Sequence, residues 1–342
     1  MPRIAINIVT WNSLKFLPEA LESIRRQTFS DFILLIIDNA STDGTVEFVR
    51  EKYPGAAILR NTRNLGFARG HNQGVAYAKA HLKGTDPLVL VTNPDIVLEP
   101  DFLEKLVDSV DRRPEFGSAC GKLLKMRRVG EGEFVEGEKT DTIDSTGLLM
   151  MKSRRVADRG AGERDAGQFD RTEGVFGVTG ALGLYRLKAL EDVGLEDGPF
   201  DESFFAYKED IDLAWRLRLS GHGALYSPAA RAYHYRTAAG RARAGVREVV
   251  AGRRGRSQLI RRLSYRNHLL MLVKNEQGAN FIRHFPRVLA YELGKLLYCL
   301  LREPASLRGL VSFLAMLPSV LRKRRSIMRK AVPAGEIRKW FQ

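Results

Sequence analysis

The chain begins with two continuous apolar runs, Ile4–Thr10 and Phe32–Asp38. Between them lies "SLKFLPEALESIRRQTFS", in which Leu17, Leu21 and Ile24 recur at helical spacing. Runs that are apolar at every position predict strands covered on both faces, and two such strands joined through a helix predict a buried parallel sheet. The alternation continues with a helix over about Thr45–Lys52, a strand near Ala57–Arg60, a helix from about Gly66 to Leu82 and the strand "PLVLVTN". This order specifies an α/β fold built on an open sheet flanked by helices.

In such a sheet, ligands bind beyond the carboxyl ends of the strands. The residues that follow each strand therefore mark one crevice: Thr10 and Asn12, then Asp38 to Asp43, then Asn93 to Asp95. Asp38, Asn39 and Asp43 in "IIDNASTDGT" can hydrogen-bond a base and ribose, and the same residues would serve as a helix cap. "NLGFARGHNQG", Asn64–Gly74, brings three glycines and a basic residue to a helix start. Free N–H groups and the macrodipole there favour a diphosphate. Asn93-Pro94-Asp95 sets a carboxylate and an amide at the crevice mouth. One carboxylate suffices for Mg²⁺ or Mn²⁺ when a diphosphate supplies further oxygens, although such a triplet also makes an ordinary turn. His234 would join as a ligand only if the fold brings it beside Asp95.

From Gly117 to Tyr185 the pattern weakens. "MRRVGEGEFVEGEKTDT" is rich in glycine and charge and reads as a mobile loop, while "IDSTGLLMMKSRRVADRG" alternates as a hairpin does. "VFGVTGALGLYR" and "ALYSPAARAYHY" read as strands.

Charge divides the chain. Residues 241 to 342 hold 23 Lys and Arg against 5 Asp and Glu, while residues 1 to 240 hold 32 against 35, so the net charge of +15 belongs to the C-terminal region. Two cysteines, Cys120 and Cys299, without metal-ligand spacing, suit a reducing compartment. The N-terminus lacks the charged lead of a secretion signal, and a cytoplasmic protein is expected. "GLVSFLAMLPSVL" contains Pro318 and is too short to span a bilayer, so no transmembrane helix is expected.

Against this basic background stands "FDESFFAYKEDIDLAWRL", Phe200–Leu217, with five carboxylates among five aromatics. Its spacing predicts a helix from about Lys208 to Ser220, stopped by Gly221. Glu209, Asp210 and Asp212 fall in the first turn, where the dipole favours negative charge, and Asp212 can pair with Arg216 at i, i+4.

Taken in order, "IVTWNS", "IIDNASTDGT", "NLGFARGHNQG", "TNPDIVL", "GALGLYR", "FDESFFAYKEDIDLAWRLRLSGH" and "YHYR" resemble glycosyltransferase family 2, above all its bacterial rhamnosyltransferase-like members. The likeness covers about residues 1 to 275 and includes "YRNHLLMLVKN". It implies a GT-A type open mixed sheet and inverting transfer from a nucleotide-diphosphate sugar, dTDP-rhamnose first and UDP-galactose or UDP-galactofuranose second. It also implies a divalent cation, Mg²⁺ or Mn²⁺, and a saccharide acceptor, including one linked to polyprenyl diphosphate, in envelope polysaccharide synthesis. Carried over, Thr10, Asn12, Asp38, Asn39 and Asp43 become nucleoside contacts, and Asn64, Gly66 and Arg69 the turn that positions the donor. Asn93 and Asp95 occupy the family's DXD metal motif, whose first carboxylate is here Asn93. His234 becomes a second metal ligand and Asp210 the general base. Glu209, Trp215 and Tyr207 become acceptor-side candidates, with Asp201 and Glu202 in the approach loop. The expected division is a nucleotide-sugar half (1–115), an acceptor and catalytic half (116–240) and a helical basic region (241–342). In that last region, apolar helices edged with cations fit an anionic membrane surface or packing against the catalytic part. Nucleic-acid binding is the competing reading of the charge and is disfavoured, since no RNA- or DNA-binding module is recognisable.

Overall fold

The computed structural model describes residues 2–129, 136–235 and 257–342. Strands β1 (Ile4–Thr10), β2 (Phe32–Asp38), β3 (Ala57–Arg60) and β4 (Leu88–Thr92) alternate with helices α1 (Leu17–Arg25), α2 (Thr45–Lys52) and α3 (Gly66–His81). β1 pairs in parallel with both β2 and β4, and β2 with β3. Next come β5 (Ile96–Leu98), α4 (Phe102–Asp111), β6 (Phe116–Val129), β7 (Glu136–Ser145), β8 (Leu148–Met150), β9 (Val156–Asp158), β10 (Glu173–Val175), β11 (Leu182–Arg186) and α5 (Leu187–Asp192). α6 (Glu209–Leu219) and β12 (Gly223–His234) complete the sheet region.

Among the described residues the sheet has ten strands. Its main order is β10-β12-β6-β11-β4-β1-β2-β3, with β5 on β12 and β7 on β6. β11 is antiparallel to both β4 and β6, so the sheet is mixed. Both faces are covered, as the continuous apolarity demanded. Ile4, Ile6 and Ile8 of β1 pack with Leu21 and Ile24 of α1 and Phe102 and Leu106 of α4. Ala5 packs on the other face with Val75 of α3 and Leu213 and Leu217 of α6. α3 lies close to β1 because Gly74 faces Asn7, whose side chain would sit 2.5 Å from any added Cβ.

Three expectations are corrected. The flanks of the stretch expected as a loop are strand: residues 126–129 belong to β6 and 136–142 to β7, which pair antiparallel, while the centre of that expected loop, residues 130–135, lies outside the described residues. Strand pairing across the sheet outweighs local propensity there. "VFGVTGALGLYR" is strand only at its two ends: Val175 closes β10 and Leu182 opens β11. The third concerns the tail.

In the tail, α7 (Gln258–Asn275), α8 (Gly278–Arg302), α9 (Arg308–Arg329) and α10 (Ala334–Arg338) follow the sheet region. A 3-10 turn, Pro304–Leu307, runs into α9, and Pro318 lies inside that helix without ending it. The segment Pro304–Arg329 is, by length and composition, long and apolar enough to cross a membrane, with 17% of its most apolar window buried. Its far end is anchored to the sheet region, where Lys323 Nζ lies 2.7 Å from Asp201 and 3.3 Å from Asp197. Arg324 donates to the carbonyl of Val273 in α7, within the tail itself.

Candidate active site

β1 and β2 end side by side, Thr10 opposite Asp38. Thr10 Oγ1 donates to Asp38 Oδ1 at 3.1 Å, and the Ser41 amide donates to Asp38 Oδ2 at 3.0 Å. Asn39 donates to the Gly66 carbonyl at 3.2 Å and accepts from Asn61 at 2.9 Å. Thr10, Asp38 and Asn39 are thereby closed to solvent, at 0 to 2% exposure. Burial commits their polar atoms to bonds between the loops that frame the crevice.

What the crevice presents is Trp11, 58% exposed, and the exposed Asn12, whose Oδ1 accepts from the Thr42 amide at 2.9 Å. Trp11 went unassigned from sequence; an aromatic directly beyond a strand's carboxyl end was the available signal. Asp43 accepts from the Thr45 amide and hydroxyl and from the Leu14 amide. Burial pushes its carboxyl up, but these bonds outweigh burial and hold it below the usual range.

The glycine turn is built around one close approach. Asn64 Oδ1 accepts from the Gly66 amide at 2.8 Å. Gly66 itself has φ +82°, and an added Cβ would lie 2.5 Å from the Phe205 carbonyl oxygen. That oxygen accepts from the Ala68 amide at 3.2 Å. Arg69 is exposed and lies 3.6 Å from Glu202. The α3 N-terminus therefore abuts the turn that precedes α6.

Asp95 and His234 meet as the sequence required. β12 pairs antiparallel with β5, and the Tyr235 amide donates to the Asp95 carbonyl at 3.2 Å. His234 Nε2 lies 3.3 Å from Asp95 Oδ1, while Nδ1 lies 2.8 Å from Asp144 Oδ2. Burial lowers the imidazole pKa, but bonds to Asp144 and Asp95 outweigh it and raise it to about 9. Asp144, fully buried, was not foreseen; it is contributed by β7, in a stretch with no sequence mark beyond its charge. A carboxylate on one ring nitrogen fixes which way the other nitrogen faces, an arrangement usual around metal-ligating histidines. Among the described residues no group of three or more His, Cys, Asp or Glu is placed to hold a metal ion. Asp95 and His234 fit a hard cation as a two-residue site that diphosphate oxygens and water would complete.

A short strap connects this corner to Asp210. The Asn93 amide donates to the Ala181 carbonyl at 2.9 Å, and the neighbouring Gly180 amide donates to Asp210 Oδ2 at 3.0 Å. Asp210 Oδ1 accepts from the Ile211 amide at 2.8 Å. These bonds orient the carboxylate and leave lone pairs for a hydroxyl. Tyr207 is 40% exposed beside it. Glu209 is buried, with Oε2 lacking a hydrogen-bond partner among the described residues, and burial followed by the Asp210 charge raises its pKa well above the usual carboxylate value.

Two assignments in the acidic stretch are corrected. Trp215 is 1% exposed and packs edge-on against Phe176 and Phe341, because α6 is covered on all sides; it belongs to the core and not to an acceptor surface. Asp201 is fully buried and paired with Lys274 and Lys323, so it is no part of an open approach loop. Asp212 pairs with Arg216 at 2.9 Å and with Lys274 at 2.9 Å. The acidic stretch and the basic tail thus neutralise each other beneath the crevice.

The family model for glycosyl transferase family 2 matches residues 5–194. The chain belongs to glycosyl transferase family 2. Within that family it is 28% identical over 251 residues to the N-acetylglucosaminyl-diphospho-decaprenol L-rhamnosyltransferase of Mycobacterium tuberculosis, covering 67% of this chain and 74% of the relative. It is 26% identical over 172 residues to the rhamnosyltransferase WbbL of Escherichia coli K12, covering 50% and 61%. A galactofuranosyl glycosyltransferase of Leishmania donovani is 23% identical over 197 residues, covering 53% and 43%. Among solved structures, S. aureus TarS 1-349 superposes with TM-score 0.52 at 16% identity, over 96% of this chain and 88% of that one. GalNAc-T7 with UDP, GalNAc and Mn²⁺ gives TM-score 0.52 at 14% identity, over 68% of this chain and 42% of that one. At these identities what is shared is the fold, and it is GT-A, as expected. This family 2 member is a glycosyltransferase.

Proposed function

We propose that this glycosyltransferase is an inverting, metal-assisted enzyme. It moves L-rhamnose from dTDP-rhamnose to a saccharide carried on a polyprenyl diphosphate, in cell-envelope polysaccharide synthesis. The observation that carries the reading is the strap Gly180–Ala181, which ties the Asp210 carboxylate to the Asn93–Asp95 corner. The rhamnosyltransferase relatives, one named for a diphospho-decaprenol substrate, support the donor and acceptor. The Mn²⁺ named with GalNAc-T7 supports a divalent cation.

In this mechanism Asp210 takes the proton of the acceptor hydroxyl as its oxygen bonds the anomeric carbon. The bond from that carbon to the diphosphate oxygen breaks on the opposite side. Asp95 and His234 hold the cation, which when bound neutralises charge on the leaving diphosphate. Trp11 and Asn12 receive the nucleoside, and the Asn64–Arg69 turn and the α3 N-terminus face the phosphates. Asp210→Asn, folded and still stabilised by nucleotide sugar, is expected to lose transfer; near wild-type transfer would remove Asp210 from the role. Thermal-shift comparison of dTDP-rhamnose with UDP-galactose and UDP-galactofuranose, with and without Mg²⁺ or Mn²⁺, tests the donor, and stabilisation by a UDP-sugar alone would favour the galactosyl reading.

The tail supports peripheral attachment to the cytoplasmic face of an anionic membrane. Phe281, Phe285, Leu289, Leu293 and Leu297 form an exposed stripe on α8, and the exposed Arg283 and Arg287 lie across the helix from it. An exposed apolar stripe within a strongly basic tail suits the interface of anionic lipid. Replacing Leu289, Leu293 and Leu297 by Glu is expected to abolish flotation with phosphatidylglycerol vesicles while leaving the unfolding midpoint unchanged. Equal recovery would exclude the attachment.

A further inference from the structure

The segment "YRNHLLMLVKN" has no part in the chemistry so far, yet its side chains reach the turn that delivers Asp210. That turn is strained at three non-glycine residues: Phe205 at φ 63°, Tyr207 at φ 70° and Lys208 at φ 76°. At Phe205 ψ is −63°, and the Ala206 amide donates to the Phe204 carbonyl at 2.8 Å. This is a three-residue turn of the rare, strained hand. Such backbone persists only where its surroundings over-determine it.

Asn267 of α7 supplies that determination. It is fully buried, and the two hydrogens of its Nδ2 are shared among the carbonyls of Phe204 at 3.0 Å, Ala206 at 3.0 Å and Tyr207 at 2.7 Å. Arg266 holds Asn267 from behind, donating to its Oδ1 at 2.9 Å and to the Ser203 carbonyl at 2.8 Å. Two helical turns on, Asn275 donates to Asp212 at 2.8 Å, and Lys274 pairs with Asp201 and Asp212. One face of α7 thus grips the chain on both sides of Asp210. Opposite that grip, the Phe205 carbonyl bonds the α3 N-terminus.

We infer that Asn267 is a positioning residue for the transfer step, fixing the 204–208 turn and through it the aim of Asp210 and Tyr207. The inference rests on Asp210 as the base. Misplacing a reacting group by about 1 Å from a remote change lowers rate by roughly 100-fold. Asn267→Asp keeps the shape but turns a carboxylate oxygen toward three carbonyls. Asn267→Ser is smaller, fits the same space and keeps one donor, so it preserves a folded comparison.

The test measures kcat and KM with the nucleotide sugar that stabilises the wild type, alongside amide hydrogen exchange over residues 204–212. Expected for Asn267→Asp is a kcat about 100-fold lower per folded molecule. Expected as well are a donor KM within about twofold of wild type and faster exchange in the turn, with Asn267→Ser intermediate in both. Unchanged exchange in 204–212, or kcat per folded molecule equal to wild type, would overturn the inference. Asp210→Asn assayed in parallel separates the two layers. If Asp210→Asn retains transfer, the base assignment falls and this inference falls with it. If it loses transfer while the Asn267 variants keep it, this inference alone falls.

Discussion

Lys274→Met isolates the electrostatic lock between the tail and the sheet region. Lys274 is fully buried, and its ammonium sits between two fully buried carboxylates, Asp201 and Asp212. Methionine keeps the stem's bulk and removes the charge. Breaking a buried ion pair by deleting one partner costs about 3–5 kcal/mol. Here each carboxylate keeps a second cation, Asp201 with Lys323 at 2.7 Å and Asp212 with Arg216 at 2.9 Å. The expected loss is therefore at the lower end, about 3 kcal/mol. Urea unfolding followed by circular dichroism reads this as a lower midpoint at constant slope. Adding Asp201→Asn removes one of the two facing charges. The double variant should be less destabilised than the sum of the singles by more than about 1 kcal/mol. A loss below about 0.5 kcal/mol, typical of surface changes, or strict additivity, would refute the lock.

Three further outcomes follow from the geometry. Burial pushes the Asp201 carboxyl up, but the Lys274 and Lys323 charges outweigh it and hold it far below the usual range. Its contribution is then full above the unfolded value of about 3.9 and is lost as pH falls below it. The gap in midpoint between wild type and Asp201→Asn should be constant from about pH 7 to 5 and shrink below about pH 4; a gap still full at about pH 3 would contradict this. Gly66→Ala, forced to φ +82° with its Cβ against Phe205, should cut transfer more than about tenfold, while Gly55→Ala, with nothing within 4 Å, should be neutral; equal activities would count against the close approach. Trp11→Ala should raise the nucleotide-sugar KM by about tenfold or more through lost base stacking, with kcat held; an unchanged KM would remove Trp11 from the nucleoside site.

The first four strands and their helices were legible because each apolar run is continuous and each helix keeps its period, so local sequence and global burial agree. The bounds of β1, β2, α2 and β3 fall where those runs end. The ends of β6 and β7 were not legible, since the charged residues that flank the glycine-rich stretch become strand only through the partner each meets in the folded sheet. For the site, the spacing of Asp95 and His234 could not reveal Asp144, which reaches His234 across 90 positions of sequence. Asp201 misled for the same reason: its partners lie 73 and 122 positions away, so nothing nearby marks a carboxylate that the fold buries. Trp215 shows the limit of periodicity, which predicts a helix but not how many of its sides are covered.

The irregularity in β12 bears on how this site can be lost. β12 runs parallel to β6 but slips register between Ser227 and Arg231, and only beyond that slip do Tyr233 and His234 pair with β5. Side chains along a strand alternate between faces, so parity after the slip decides which residue points at Asp95. Lengthening the segment 228–230 by one residue would present a tyrosine phenol where the imidazole now stands. The proposed cation site would disappear with both of its proposed ligands still encoded. In this protein the address of a ligand is written in strand register as much as in residue identity.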